Sequence, residues 1–362
     1  MKSLARLWAV LGPGLIWAGT AVGVSHLVQS TRAGAGFGLG LVWVVLFANL
    51  IKYPAFAAGV RYPIATGSSL LHGYRQRGRW MVGIFLLVTL ATMLTVVAAV
   101  TIVAAGMATA LAGLPLSVSA WSGLLLALSV AMLAVGRFAL LERFMKVMML
   151  LLAASTLVAV LSALPEADWS AMRVAPWWPS GVHSEWLFVA ALIGWMPSAL
   201  DIAVWQSLWS VERANLRGEG VNGPAARLDF RVGYVGTALL ALGFVLLGAI
   251  LLAQAGELPS SAGAFAVALI DAYTSALGSW ARPVLLVAAF STMLSTTVAV
   301  VDGFPRALEG AVLSLGRDEA PRRRTPLYWG AMLLVAVGAW VIIAAFAGKL
   351  LALVDLATTL TG

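Results

Sequence analysis

The 362-residue chain contains no cysteine and only three histidines, and 10% of its residues are charged. Without cysteine, the protein has no disulfide, no thiolate metal site and no iron–sulfur ligation. The histidines, His26, His72 and His183, lie in separate segments, so the sequence has no pair of histidine ligands at metal-site spacing. It also has no Walker A phosphate-binding loop, which argues against an ATP-driven pump.

Hydrophobic residues make up 61% of the chain, which excludes a soluble domain. Apolar stretches long enough to cross a bilayer, about 20 residues each, recur along the whole length. The predicted spans are 8–33, 38–60, 80–110, 116–136, 139–164, 186–210, 230–255, 282–303 and 326–346. A tenth, shorter apolar segment begins near Lys349. The sequence therefore predicts an all-α polytopic membrane protein of about ten spans, forming one transmembrane domain over 1–362 in a lipid bilayer.

The basic residues are distributed unevenly between alternate loops. If the N-terminus is cytoplasmic, most of the 23 Lys and Arg residues fall on cytoplasmic loops. The exceptions are Arg32, Arg173, Arg282 and Lys349 on the outer side and Lys52 within a span. This asymmetry predicts an integral protein of a bacterial-type plasma membrane with a cytoplasmic N-terminus. It also accounts for the net charge of +8 without a nucleic-acid partner, and no obligatory protein partner is indicated.

Two of the predicted spans are interrupted by glycine and proline. The first reads GPGLIWAGTAVGVSH from Gly12, and the second reads ALIGWMPSALD from Ala191. Irregular backbone at membrane depth is tolerated only where protein buries it or where it lines a cavity. Breaks at matching places in two halves are typical of transporters that bind substrate at the bilayer midplane. The positions of the breaks predict inverted repeats covering roughly 8–164 and 186–362.

Ionisable residues inside spans are candidates for function because they are costly to bury in lipid. In this sequence they are His26, Arg32, Lys52, Asp201, Asp302 and Asp355. His26 follows the first break, with Ser25 and Gln29 nearby on its helix, and Asp201 follows Ser198 and the second break. If the two breaks face each other, His26 and Asp201 could meet as a proton-coupling pair, a cation site or a structural ion pair. Arg32 and Lys52 are predicted to be snorkelling or structural.

The eighth predicted span contains a run of small hydroxyl residues. They are Ser291, Thr292, Ser295, Thr296 and Thr297. Their oxygens suit hard cations such as sodium, but hydroxyl residues are also ordinary packing residues between membrane helices. Ser295 and Thr296 are the candidates for a coupling-ion site.

Four short motifs give the chain a family resemblance: GPG at 12–14, AGAGFG at 33–38, ATGSSL at 65–70 and MPSALD at 196–201. With these motifs the chain resembles the NRAMP family of divalent-metal transporters. The resemblance implies a leucine-transporter-type fold with broken first and sixth helices, and coupling of metal to protons.

The resemblance also places the family's metal-binding motifs on this sequence. The family's Asp-Pro-Gly-Asn falls on Gly23, Val24, Ser25 and His26, so the liganding Asp is Gly23 and the liganding Asn is His26. The family's Met-Pro-His falls on Met196, Pro197 and Ser198, so the Met is kept and the His is lost. The third span has no acidic residue between Met81 and Leu111, where the family keeps carboxylates.

The leading hypothesis is a secondary transporter that works by alternating access and carries a divalent metal through a remodelled site of His26, Met196 and Asp201. The wider set of predicted substrate-binding residues is Gly23, Ser25, His26, Gln29, Met196, Ser198 and Asp201. The alternative is a transporter of a small anion or neutral organic solute, coupled to sodium through Ser295 and Thr296. A receptor or an intramembrane enzyme is a third class, but the sequence has no nucleophile–base arrangement that would support catalysis. No cofactor is expected beyond a transported or coupling ion: a divalent metal, a proton or sodium.

Overall fold

The computed structural model describes residues 11–135, 138–170, 172–252, 259, 262–316, 325–346 and 350–361. These residues are predominantly helical, and none of them forms a β-strand. In chain order the helices are α1 Pro13–Ala21, α2 Thr31–Phe37, α3 Val42–Thr66, α4 Leu70–Arg77, α5 Arg79–Ala112, α6 Val118–Val135, α7 Phe138–Ala163, α8 His183–Trp195, α9 Ile202–Arg217, α10 Gly223–Leu247, α11 Ala262–Leu277, α12 Arg282–Leu315, α13 Pro326–Phe346 and α14 Leu350–Thr361. π-Helical segments at Ser25–Ser30 and Gly248–Leu252 precede α2 and extend α10.

Seven helices in the described residues are long and apolar enough to cross a membrane. They are α3, α5, α6, α7, α10, α12 and α13. The first and sixth predicted spans are not among the seven because each is divided into shorter helices, α1 with α2 and α8 with α9. The prediction of a polytopic helical membrane protein with two broken helices is therefore confirmed.

The first break separates α1 from the π-helical segment before α2. Pro13 stands in the first turn of α1, where its missing amide hydrogen costs nothing. The helix ends at Ala21, and Val22 leaves the helical region with a ψ of 84°. A Cβ added at Gly23 would lie 2.9 Å from Thr296 Cγ2, so glycine allows α12 to approach the break closely.

The second break separates α8 from α9 and is caused by Pro197. A residue before proline is driven out of the helical region by contact with the proline ring. Met196 accordingly adopts an extended conformation, with φ −102° and ψ 119°, and ends α8. Helical structure resumes after Asp201, which caps α9.

Several boundaries differ from the sequence-based prediction. The spans predicted to end at 60 and 303 continue to Thr66 in α3 and to Leu315 in α12. The second extension contains a charged residue, Arg306. Its charge is tolerated inside α12 because it forms a buried ion pair with Asp302 one turn earlier. Helix α11 was not predicted, and at 16 residues it is about 24 Å long, short for a span. The predicted tenth segment corresponds to α14, whereas Lys349 lies outside the described residues.

The first broken helix packs closely against α10. A Cβ added at Gly14 would lie 2.6 Å from the backbone carbon of Asp229, and one added at Gly233 would lie 2.6 Å from the Gly14 carbonyl oxygen. Small residues that let backbones approach are the usual basis of helix association in membranes. Farther along, Gly248 contacts the Thr31 carbonyl in the same way. Helix α10 therefore supports the first broken helix on both sides of its break.

Candidate functional site

A small cavity lies between the two breaks and is lined by residues of both. Its volume is about 30 Å³, enough for about two water molecules. The polar side chains on its wall come from Thr20, Ser25, Ser198, Asp201 and Thr296. Its apolar wall includes Val96, Val100, Trp195, Trp205 and Phe304. The wall thus combines hydroxyl groups, one carboxylate and a tryptophan-rich apolar surface.

Asp201 provides the carboxylate of this cavity. It stands at the start of α9, and its Oδ1 atom is buried without a hydrogen-bond partner in the described part of the chain. The positive charge of Lys52 attracts this carboxylate. A buried carboxylate oxygen with no donor is costly, so Asp201 is a group prepared to accept a bond from a substrate or ion.

Lys52 binds the second break and attracts Asp201 electrostatically. Its side chain is 5% exposed, and its Nζ donates to the carbonyl oxygens of Ile193 at 2.7 Å, Gly194 at 2.6 Å and Ser198 at 3.3 Å. An ammonium has three donors, so all of them are used. Lys52 is thus a structural lysine that reaches across from α3 to the break; it does not extend towards the membrane surface.

His26 does not meet Asp201 in the structure. The imidazole is fully buried, and its Nε2 donates to the Thr237 carbonyl oxygen of α10 at 3.0 Å. The other ring nitrogen, Nδ1, lies 2.8 Å from Ser25 Oγ. Because both nitrogens are engaged and His26 is not on the cavity wall, the ring ties the first break to α10.

Met196 is also turned away from the cavity. It is fully buried in an apolar cluster that contains Val44, Val189, Leu192 and Val245. Of the three residues proposed to form a metal site, only Asp201 reaches the cavity wall. Within the described ranges, no group of three or more His, Cys, Asp or Glu residues could hold a metal ion.

The hydroxyl of Thr296 on α12 binds the first break. Its Oγ1 lies 3.0 Å from the carbonyl oxygens of Gly19 and Thr292, and 3.5 Å from that of Val22. The Ser295 hydroxyl donates to the Thr292 carbonyl at 2.7 Å. Carbonyl and hydroxyl oxygens gathered in this way are the ligand type that hard cations prefer.

Gln29 and Arg32 belong to a separate cluster outside the cavity wall, at the opposite end of the first broken helix from Leu11. Arg32 Nη1 lies 2.6 Å from Asp355 Oδ1 on α14 and donates to Gln29 Oε1 at 2.9 Å. Gln29 donates to the same Asp355 oxygen at 3.1 Å, and the guanidinium lies 5.1 Å from the Phe188 ring centre. The cluster links the first broken helix to α14 and α8. We call it the Arg32 cluster.

A different network holds the opposite end of the first broken helix. Both oxygens of Asp229 on α10 accept backbone amides at the start of α1, from Gly12 at 2.9 Å and from Gly14 at 2.7 Å. Nearby, Glu142 on α7 pairs with Lys146 at 2.7 Å and with Arg213 at 3.2 Å. A larger cavity of about 210 Å³ opens here between α1, α9 and α10.

Sequence reasoning missed the roles of Asp229 and Thr237. Asp229 was placed in a polar stretch between spans, but it lies inside α10 and is 2% exposed. No clear signal was available, because Arg227 and Arg231 flank Asp229 and make the segment resemble a polar loop. Thr237 acts through its backbone carbonyl, which no side-chain pattern reveals.

Asp302, one of the ionisable residues identified from the sequence, is part of a buried network outside the cavity wall. Its carboxylate accepts from Arg306 at 2.8 and 2.9 Å, from Trp209 Nε1 at 2.9 Å and from the Tyr328 hydroxyl at 2.6 Å. The network joins α12 to α9 and α13, and its carboxylate is fully paired. Asp302 is therefore part of the scaffold that positions α9.

Two broken helices that face each other across an enclosed cavity define a membrane transporter of the leucine-transporter type. The family model described as "Natural resistance-associated macrophage protein-like" matches residues 14–361. The chain belongs to this family, Nramp, and is accordingly a membrane transporter and not an enzyme.

The chain is also similar in sequence to a bacterial protein and in fold to solved transporter structures. An uncharacterized protein of Pasteurella multocida (strain Pm70), PM0681, is 35% identical over 323 residues, covering 86% of this chain and 73% of that protein. The crystal structure of the Eremococcus coleocola manganese transporter, in complex with an aromatic bis-isothiourea substituted compound, superposes with a TM-score of 0.72 at 16% identity. That match covers 99% of this chain and 76% of the other. Mhp1, a nucleobase-cation-symport-1 family transporter with bromovinylhydantoin bound, matches with a TM-score of 0.63 at 15% identity, over 96% and 75% of the two chains.

Proposed function

We propose that this protein is a secondary transporter that works by alternating access and carries a small organic anion or neutral organic solute instead of a divalent metal. The observation that supports the substrate class is the composition of the cavity wall. The wall contains hydroxyl groups, tryptophans and a single carboxylate, and the negative charge of that carboxylate is partly offset by the ammonium of Lys52. A doubly charged cation would enter a site with almost no net negative charge to offset its loss of hydration.

The fold leaves both substrate classes open, because it is shared by a manganese transporter and by a transporter with a bound hydantoin. The substrate must therefore be argued from the side chains. Gly23 contributes no ligand, His26 is bound to Thr237, and Met196 lies in an apolar cluster. The second candidate, divalent-metal transport, is favoured by the manganese-transporting neighbour and by the free Oδ1 of Asp201. It requires His26 and Met196 to leave their present partners.

The coupling ion in this proposal is sodium at the first break. The support is the arrangement of the Thr296 hydroxyl with the carbonyl oxygens of Gly19, Val22 and Thr292. Oxygen-only ligands without a carboxylate suit a singly charged ion better than a doubly charged one. The side of the protein that holds Leu11 is proposed to face the cytoplasm, because Arg213 donates to the Leu11 carbonyl and Arg217 lines the neighbouring cavity.

The test compares two kinds of flux in proteoliposomes. Manganese entry is followed by quenching of internal calcein, and solute entry is followed with a panel of carbon-14-labelled small carboxylates and amino acids under a sodium gradient. We expect manganese entry no faster than in protein-free liposomes, and sodium-dependent entry of at least one labelled solute. Saturable manganese entry that is lost in Asp201→Asn would instead establish the metal transporter. Solute entry that is indifferent to sodium would remove the coupling proposal alone.

A further inference from the structure

The end of α8 presents backbone carbonyl groups that the helix itself cannot satisfy. The last four carbonyls of any α-helix lack an intrahelical partner, and they carry the negative end of the helix dipole. At this end Pro197 prevents the chain from continuing as a helix, so these groups remain inside the protein. The Ile193 carbonyl accepts one short-turn bond, from the Met196 amide at 3.2 Å.

Lys52 is held so that its ammonium meets these groups. It lies near the middle of α3, on the buried face that it shares with Asn49 and Phe56. That face is fixed by the Tyr234 hydroxyl, which donates to the Asn49 carbonyl oxygen at 2.5 Å. The ammonium donates to the carbonyls of Ile193, Gly194 and Ser198, and it is also attracted by the charge of Asp201.

Three carbonyl oxygens form the kind of oxygen ligand set that binds a cation, and the carboxylate of Asp201 adds an attraction at longer range. We propose that the end of α8, with Asp201, is a cation site whose permanent occupant is the ammonium of Lys52. The lysine thus acts as a tethered cation, which keeps the second break closed to free metal ions. Ser198 connects this site to the transport cavity, because the same residue lines the cavity wall.

The proposal predicts that removal of the lysine side chain creates a binding site for small cations with N–H donors. Thermal unfolding of the purified full chain in detergent, followed by tryptophan fluorescence, measures this without any flux. We expect Lys52→Ala to lower the midpoint by about 5–10 °C, since three buried carbonyls lose their hydrogen-bond donor. Methylammonium chloride should restore much of this loss in Lys52→Ala and leave wild type unchanged. Tetramethylammonium, which has the same charge but no N–H group, should restore none of it.

The matched control is Lys146→Ala, another buried lysine. Its partner Glu142 keeps a second cation, Arg213, so this variant vacates no site and methylammonium should not rescue it. If Lys52→Ala does not fold, Lys52→Ser leaves the same space vacant, and refolding of either variant in methylammonium provides the same readout. The proposal is overturned if the Lys52 variants are as stable as wild type, or if methylammonium and tetramethylammonium act alike. Because the readout is unfolding, its failure leaves the test of the transported substrate intact.

Discussion

The two helix breaks satisfy the same kind of backbone group with different chemistry. At the first break the carbonyls of Gly19 and Val22 meet the neutral hydroxyl of Thr296. At the second break the carbonyls of Ile193, Gly194 and Ser198 meet the charged ammonium of Lys52. Both arrangements bury polar backbone that would otherwise be unpaired in the membrane.

The difference determines what else each break can bind. A hydroxyl group donates one hydrogen bond and still offers its lone pairs, so an ion can join Thr296 and its carbonyl neighbours. An ammonium has no lone pair and repels a second cation. One break therefore remains open to a coupling ion, whereas the other already contains its own positive charge.

The largest effect on this comparison is expected from Asp201→Asn, which removes the charge opposite Lys52. Solute uptake should fall at least about tenfold because the cavity wall loses its carboxylate, and the free energy of unfolding should change by only about 1 kcal/mol, since Asp201 attracts Lys52 without a direct ion pair. Uptake into proteoliposomes and thermal unfolding measure the two effects. Asp201→Glu is the control and should retain stability. Normal uptake by the asparagine variant would show that the second break takes no part in transport.

Thr296→Val should have a smaller effect, confined to the first break. Loss of the hydroxyl should reduce the free energy of unfolding by about 1 kcal/mol and abolish the sodium dependence of uptake. Thr297→Val is matched to it in size and in position, but the Thr297 hydroxyl bonds only the Met293 carbonyl of its own helix. Equal sodium dependence in both variants would place the coupling ion elsewhere.

The variant His26→Gln tests whether His26 is a structural residue or a metal ligand. Glutamine can still donate to the Thr237 carbonyl, so we expect a loss of about 1 kcal/mol or less in stability. The choice between manganese and organic solutes should be unchanged, as measured by competition in the uptake assay. A change in that choice would bring His26 into the substrate site.

The smallest effect is expected from Arg32→Gln in the Arg32 cluster. The side chains of Arg32 and Asp355 are 18% and 40% exposed, so water weakens their attraction. The pair should contribute less than about 1 kcal/mol, and the difference from wild type should shrink as salt is raised. Unfolding at low and high salt checks this, with Asp355→Asn as the partner variant. A large effect that does not depend on salt would contradict the assignment of a surface ion pair.

The broken helices could be predicted from the sequence because their causes are local. Pro197 dictates the conformation of Met196, and Gly23 with its neighbours weakens the helix before Ser25. Charge distribution and apolar length likewise identify the long spans without any knowledge of packing.

The partners of the site residues could not be predicted in the same way, because they depend on helices distant in sequence. His26 is bonded to a backbone carbonyl 211 residues away, and Lys52 to carbonyls more than 140 residues away. Every residue has a backbone carbonyl, so the residue type does not indicate which carbonyls accept these hydrogen bonds. The ionisable residues within the spans can be identified from the sequence as important, but tertiary packing determines which of them are in contact.

The contact between Asp229 and the start of α1 also has a consequence for how the protein is made. The carboxylate and the amide of Gly12 are 217 residues apart, which corresponds to about 10–40 s of synthesis at ordinary ribosomal rates. During that time the first helix enters the membrane without the group that later binds its exposed amides. Biogenesis of this transporter therefore includes an interval in which the helix that forms part of the cavity wall must be sheltered by water, lipid headgroups or the insertion machinery until α10 arrives.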